Sequence, residues 1–226
     1  MFPRITALGL LLAATSATLL VPPATADDFM PPSWNRADPF AVTAEWEFFT
    51  SANPLAPDGP LTNVGVKGSG TAPSGSFAHL TGPIGHIPHD GDGAWVSSLP
   101  SFDVHIELDN IVDTEPVKHL WLQLTHNPGN IISIDTLGTA NALATGAVPD
   151  FPVITPIDST HTLVTWNLFP NPPWEQFNFT VTQGGLDLPL LDQIVLDTIS
   201  VPEPSSIVLA VIGLAIVSLC VRRRRR

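Results

Sequence analysis

The densest run of chemically capable side chains is Gly85-His86-Ile87-Pro88-His89-Asp90-Gly91-Asp92-Gly93. It places His86, His89, Asp90 and Asp92 within seven residues. A pair of imidazoles favours zinc or a similar transition metal. Carboxylates on a glycine-rich loop suit calcium, which takes oxygen ligands. The run follows neither the EF-hand spacing nor a complete zinc motif. The plain expectation is a solvated turn, with calcium as the metal alternative.

A second group is Asp103, Glu107 and Asp109, with Asp113 and Glu115 beyond. With His105, the first three point to one face of one strand. Carboxylates at every second residue stand roughly 7 Å apart, a spacing open to a paired-carboxylate glycosidase. The wet face of an outer sheet has the same pattern, and that is the expectation here. Nucleophile motifs are absent: there is no G-x-S-x-G, and the single Cys is Cys220 near the C-terminus. No phosphate-cradling glycine loop follows a strand. The chain is therefore expected not to be an enzyme, with a polysaccharide-active hydrolase built on the 103–115 carboxylates as the alternative.

The aromatic set is six Trp and no Tyr. Trp121 lies on the less apolar face of its strand, and Trp174 follows the turn Asn171-Pro172-Pro173. Exposed indoles stack on sugar rings, so these two are the candidates for glycan contact; filling the core is the competing use.

The elements that must hold these residues read as strands. Phe102, Val104, Ile106 and Leu108 alternate with Asp103, His105, Glu107 and Asp109. Similar alternation marks 42–48, 120–124 and 177–182, and weaker strands are expected at 62–67, 94–98, 131–135, 151–155, 160–168 and 190–200. Alternation buries one face and wets the other, as antiparallel sheets do. Proline recurs too often for long helices; only 139–147 is helix-friendly. Many short strands with Gly/Pro turns imply an all-β fold, an antiparallel β-sandwich or jelly-roll-like domain. It is expected over 41–201, preceded by an extended proline-rich arm over 27–40.

Residues 27–201 hold 20 of the 21 acidic residues and only Arg36, Lys67 and Lys118 as cations. Such a surface repels phosphate, so nucleic acid is excluded as a partner. One cysteine excludes an intrachain disulfide scaffold.

The ends read as addresses. Arg4, an uncharged apolar stretch over 5–21, Pro22-Pro23 and Ala24-Thr25-Ala26 form a secretory signal peptide over 1–26, cut by signal peptidase after Ala26. At the other end, Pro202-Glu203-Pro204 precedes an uncharged apolar run from Ile207 to Val221 and then Arg222, Arg223, Arg224, Arg225 and Arg226. As a helix the run spans roughly 22 Å, short of the ~30 Å hydrocarbon core, with tilt or thinning making up part of the difference. The arginines hold the cytoplasmic side.

This ordered trio at 202–226 resembles a PEP-CTERM sorting signal. The resemblance implies a precursor tethered to the inner membrane by a transmembrane sorting helix. It also implies recognition by an exosortase, a transpeptidase-like membrane protease, with delivery to the cell surface or extracellular matrix. The cargo of such tails is diverse, so the resemblance implies transport and supplies no activity. A structural or adhesive role with weak exopolysaccharide contacts is the expectation for the cargo, and a calcium-stabilised adhesion module is a further alternative.

Overall fold

The computed structural model describes residues 28–58, 61, 69–70, 75–111, 115–135 and 148–201. The leader with Ala24 and Ala26, the strand expected over 62–67, Asp113, the stretch 139–147 and the sorting tail from Pro202 to Arg226 lie outside these residues. Among the described residues all regular structure is strand and every pairing is antiparallel, in two sheets. No helix among them is long and apolar enough to cross a membrane.

The larger sheet runs in the order β10 (Val153–Pro156), β11 (His161–Phe169), β7 (Val117–His126), β13 (Leu190–Val201), β5 (Asp92–Ser97) and β4 (Ile84–His89). Two further strands join it, β1 (Ala41–Trp46) on β13 and β9 (Val148–Pro149) on β11. The smaller sheet runs β2 (Ser69–Gly70), β6 (Ser101–Ile111), β12 (Trp174–Thr182) and β8 (Ile131–Asp135), with β3 (Phe77–Thr81) on β6.

The two sheets share one core. Phe102, Val104, Ile106 and Leu108 of β6 are buried with Phe177, Phe179 and Val181 of β12, and meet Leu120, Leu122 and Leu124 of β7 in a single cluster. The ring of Trp166 on β11 meets Phe177 edge-on across the sheets, with centroids 5.1 Å apart. Each such side chain removed from water stabilises the fold by about 1.5–3 kcal/mol.

Strand β13 organises the larger sheet. One edge is bonded to β7 along nearly its whole length. The other edge is divided between β1, opposite Ile194–Ile199, and β5, opposite Leu190–Leu191. The register with β7 shifts between Leu191 and Gln193. A bulge of this kind re-aims the side chain it carries, here Asp192.

The outer face of the larger sheet carries Trp121, Asp197 and Thr43 side by side on β7, β13 and β1. The proline-rich arm lies on this face and contains no strand. The Trp121 indole donates Nε1–H to the Met30 carbonyl at 2.7 Å, and the Met30 amide donates to Gln123 Oε1 at 2.9 Å. Gln123 Nε2 donates to Asp28 Oδ1 at 2.7 Å. Arg36 grips Asp197 with two hydrogen bonds, Nε to Oδ1 at 2.6 Å and Nη2 to Oδ2 at 2.5 Å, and reaches Asp28 with Nη1 at 2.5 Å. Gln123, on the face of β7 opposite Leu122 and Leu124, is buried because the arm covers it.

Candidate functional site

Two of the concave sites on the larger sheet gather residues singled out in the sequence, and a carboxylate row lies on the smaller sheet. The expected glycine-rich loop at 85–93 is a β-hairpin. Strands β4 and β5 pair from Ile84–Ser97 to His89–Asp92, closed by Asp90 and Gly91 at φ 39° and 104°. An Asp-Gly pair with both φ positive is the backbone that a two-residue hairpin turn demands. The hairpin separates the four expected ligands. His86 turns to the Phe48 carbonyl, 2.6 Å from Nε2, and packs edge-on against Trp95. Gly93 makes that approach possible, since a Cβ there would come within 2.3 Å of both His86 Nε2 and the Phe48 oxygen.

His89, Asp90 and Asp92 instead line a cavity of about 520 Å³ with Glu47, Asp192 and His126. The bulge delivers Asp192, whose Oδ1 lies 2.8 Å from His89 Nδ1, an ion-pair distance in an orientation that makes no hydrogen bond. Burial pushes the Asp192 carboxyl up; His89 draws it back and Asp92 pushes it further. Burial also pushes Asp58 up, against the hydrogen bond from the Glu47 amide and with the charge of Asp92. His126 is pushed down, again chiefly by burial. Among the described residues no group of three or more His, Cys, Asp or Glu is arranged to hold a metal ion.

The Asp103, Glu107, Asp109 row lies on the face of β6 turned from the core. Asp103 accepts a hydrogen bond from Thr180 Oγ1 at 2.6 Å. His105 contacts Asn178 Oδ1 at 2.6 Å and Glu107 Oε1 at 3.4 Å. Glu107 is 9% exposed, because Phe77 of β3 stands opposite it and packs its ring near His105. None of these carboxylates lines either concave site. Glu115, beyond this strand, lines neither as well.

The two indoles expected to touch glycan are on different sheets. Trp174 opens β12, opposite Asp109. Trp121 lines a groove of about 540 Å³ together with Trp34, Phe151, His119, Asp150 and Asn167. Trp34 arrives on the arm and meets Trp121 edge-on, with centroids 5.9 Å apart at 80°. Phe151 is 91% exposed. Asp150 is held by Asn167, whose amide donates to Oδ1 at 2.7 Å and whose Nδ2 donates to Oδ2 at 2.6 Å. Among the described residues no lysine or arginine lines the groove. Phe151, Asp150 and Asn167 of this groove were missed in the sequence, where Trp34 stands among the six tryptophans. Their only early signal was Trp34 in the proline-rich arm, since the rest come together through β9, β11 and β7 pairing.

A fourth cluster is buried between the sheets. Lys118 of β7 and Glu175 of β12 have fully buried side chains, with Nζ and Oε1 3.7 Å apart. Burial pushes the Glu175 carboxyl up to about 8, the Lys118 charge opposes it, and the charge of Asp109 adds to it.

Residues 200–226 match the PEP-CTERM protein-sorting motif. No curated protein and no solved structure matches the chain. The motif marks the chain as an exported protein whose precursor is membrane-anchored and processed by an exosortase. Its match begins at Ser200, inside the last strand of the fold.

Proposed function

We propose that the exported chain is a non-enzymatic component of the cell surface or extracellular matrix, a β-sandwich that adheres to exopolysaccharide through the groove at Trp34 and Trp121. The observation that carries this reading is the groove itself. Two indoles fixed at right angles beside exposed Phe151 offer apolar faces, while Asp150, Asn167 and His119 offer acceptors and donors at the rim. Sugar rings present apolar faces and hydroxyl edges, and this mixture of a few placed polar groups on an aromatic floor is what binds them. The described residues of the groove include no lysine or arginine, which favours a neutral sugar over a uronate or a sulfated one. Binding is favoured over hydrolysis because the paired-carboxylate row at 103, 107 and 109 lies on an outer face away from both concave sites.

The test is binding of the full chain to a glycan array and to the host's exopolysaccharide. Replacing Trp121 or Trp34 by Ala should weaken binding about tenfold each, the size of one lost aromatic contact, while Trp174→Ala leaves it unchanged. Equal binding by all variants would remove the groove from the reading. A calibrated reducing-sugar assay on any bound polymer should stay flat.

A further inference from the structure

The chain contains one cysteine, Cys220, so no intrachain disulfide can brace it. The polar cluster between the sheets has the parts for a different covalent brace. Lys118 Nζ donates to Ser200 Oγ at 3.3 Å. Asn171 Nδ2 donates to the same oxygen at 3.1 Å. The attacking amine and the carboxamide are thus neighbours around one hydroxyl. Asn110, itself fully buried, donates Nδ2–H to Asn171 Oδ1 at 3.1 Å. That hydrogen bond draws charge toward the carboxamide oxygen and leaves Cγ more electrophilic. The Asn171 amide is tied to the Pro116 carbonyl at 2.8 Å, which fixes its loop against the entry to β7. Glu175 completes the cluster beside the lysine.

We propose that Lys118 and Asn171 form an intramolecular isopeptide bond, with Glu175 as the proton carrier. Both Lys118 and Glu175 are sealed from water, where a charged pair is expensive to maintain. Passing one proton from the ammonium to the carboxylate leaves a neutral amine and a neutral acid. Burial already favours the neutral acid, since it pushes Glu175 up. The neutral Nζ attacks Asn171 Cγ, forming the C–N bond. The Cγ–Nδ2 bond then breaks. Glu175 gives its proton to the departing nitrogen and takes one from the new secondary amine. One amine and one primary amide become one secondary amide and one ammonia, and Glu175 ends as the neutral acid that the first proton transfer made it. No oxidant or cofactor enters. With Lys118 and Glu175 fully buried and Asn171 half-buried beside them, the groups need no encounter step, and such proximity is the largest advantage an intramolecular reaction can have. The bond would join β7 of the larger sheet to the loop that leads into β12 of the smaller one.

Intact mass spectrometry of the folded full-length chain, referenced to its own processed N-terminus, tests this directly. The expected result is a mass lower by one ammonia, with a digest containing a linked peptide pair that joins Lys118 to Asn171. Asn171→Asp should lower the mass by one water instead, since the same attack on a protonated carboxyl releases water. An unmodified mass in protein whose near-ultraviolet circular dichroism reports a packed core would overturn the proposal. Loss of ammonia without a linked pair, as ring closure at an asparagine gives, would overturn it too. A pair linking Lys118 to Asn110 would overturn the assignment of Asn171.

Discussion

Replacing Arg36 by Met should cost this fold about 3 kcal/mol, and the reason lies in what the arm covers. Asp197 sits in the middle of the larger sheet with a fully buried side chain. Its oxygens are held by Arg36 through two hydrogen bonds and by Thr43 Oγ1 at 2.7 Å. Burial pushes this carboxyl up, while Arg36 and Thr43 pull it back down. Removing one partner of a buried, hydrogen-bonded pair costs about 3–5 kcal/mol, because the other charge stays behind unpaired. The Arg36 side chain is 28% exposed, so water softens the loss toward the low end. For a domain of this size each kcal/mol moves the melting midpoint by about 2–4 °C, so the expected drop is about 6–12 °C. The assay is thermal unfolding followed by circular dichroism, with a urea titration to check that the slope is unchanged. The double variant Arg36→Met, Asp197→Asn should recover most of the loss, because no charge is then stranded. Tryptophan emission should report the same event, since freeing the arm lifts Trp34 from Trp121. A drop below about 1 kcal/mol, or additive losses in the double variant, would refute the claim that this pair is desolvated and that it docks the arm.

Other outcomes follow from the same geometry. Glu175 titrates near 8 in the folded chain, above its ordinary value of 4.5. A raised carboxyl contributes stability that is complete below about pH 4.5 and is lost as pH climbs through 8; the melting midpoint should therefore fall between pH 5 and pH 8.5, and Glu175→Gln should flatten that slope. Gly93→Ala should destabilise by about 1–3 kcal/mol in urea titrations, because its Cβ would strike the Phe48 carbonyl as well as His86; a neutral result would mean that the hairpin does not pack there. Calcium added at millimolar concentration should leave the midpoint where a chelator leaves it, since among the described residues no group of three or more His, Cys, Asp or Glu is arranged to hold a metal ion. A site filled at a hundred times its dissociation constant would add about 2.7 kcal/mol, and a rise of that size would restore the metal reading.

Period-two alternation made most of the strands legible. Residues 102–108 were readable as a strand with Phe102, Val104, Ile106 and Leu108 inward, and all four are buried. The 190–200 strand carries Leu191, Val195 and Ile199 in one phase and Leu190, Ile194 and Leu196 in the other, and all six are buried. Strand β4 was not legible, because Gly85 and Pro88 break the pattern that the hairpin nevertheless sustains. The inward pair Lys118 and Glu175 was written in the same alternation. Stepping back by two from Leu120 gives Lys118, and stepping back by two from Phe177 gives Glu175. A polar residue in phase with a buried row was the available signal. The groove had no such signal, since Trp34, Trp121 and Asp150 are distant in sequence and meet only through the docked arm and the β9, β11, β7 ladder.

The placement of β13 has a mechanical consequence. The sorting motif begins at its end, so a pull exerted through the C-terminal attachment enters the domain along this strand. Ladder hydrogen bonds lie across the strand direction. With β7 on one edge and β1 and β5 on the other, the strand cannot unzip one rung at a time from a free border. Many rungs must slide together, so traction through the C-terminal attachment would meet the sheet in its most resistant direction.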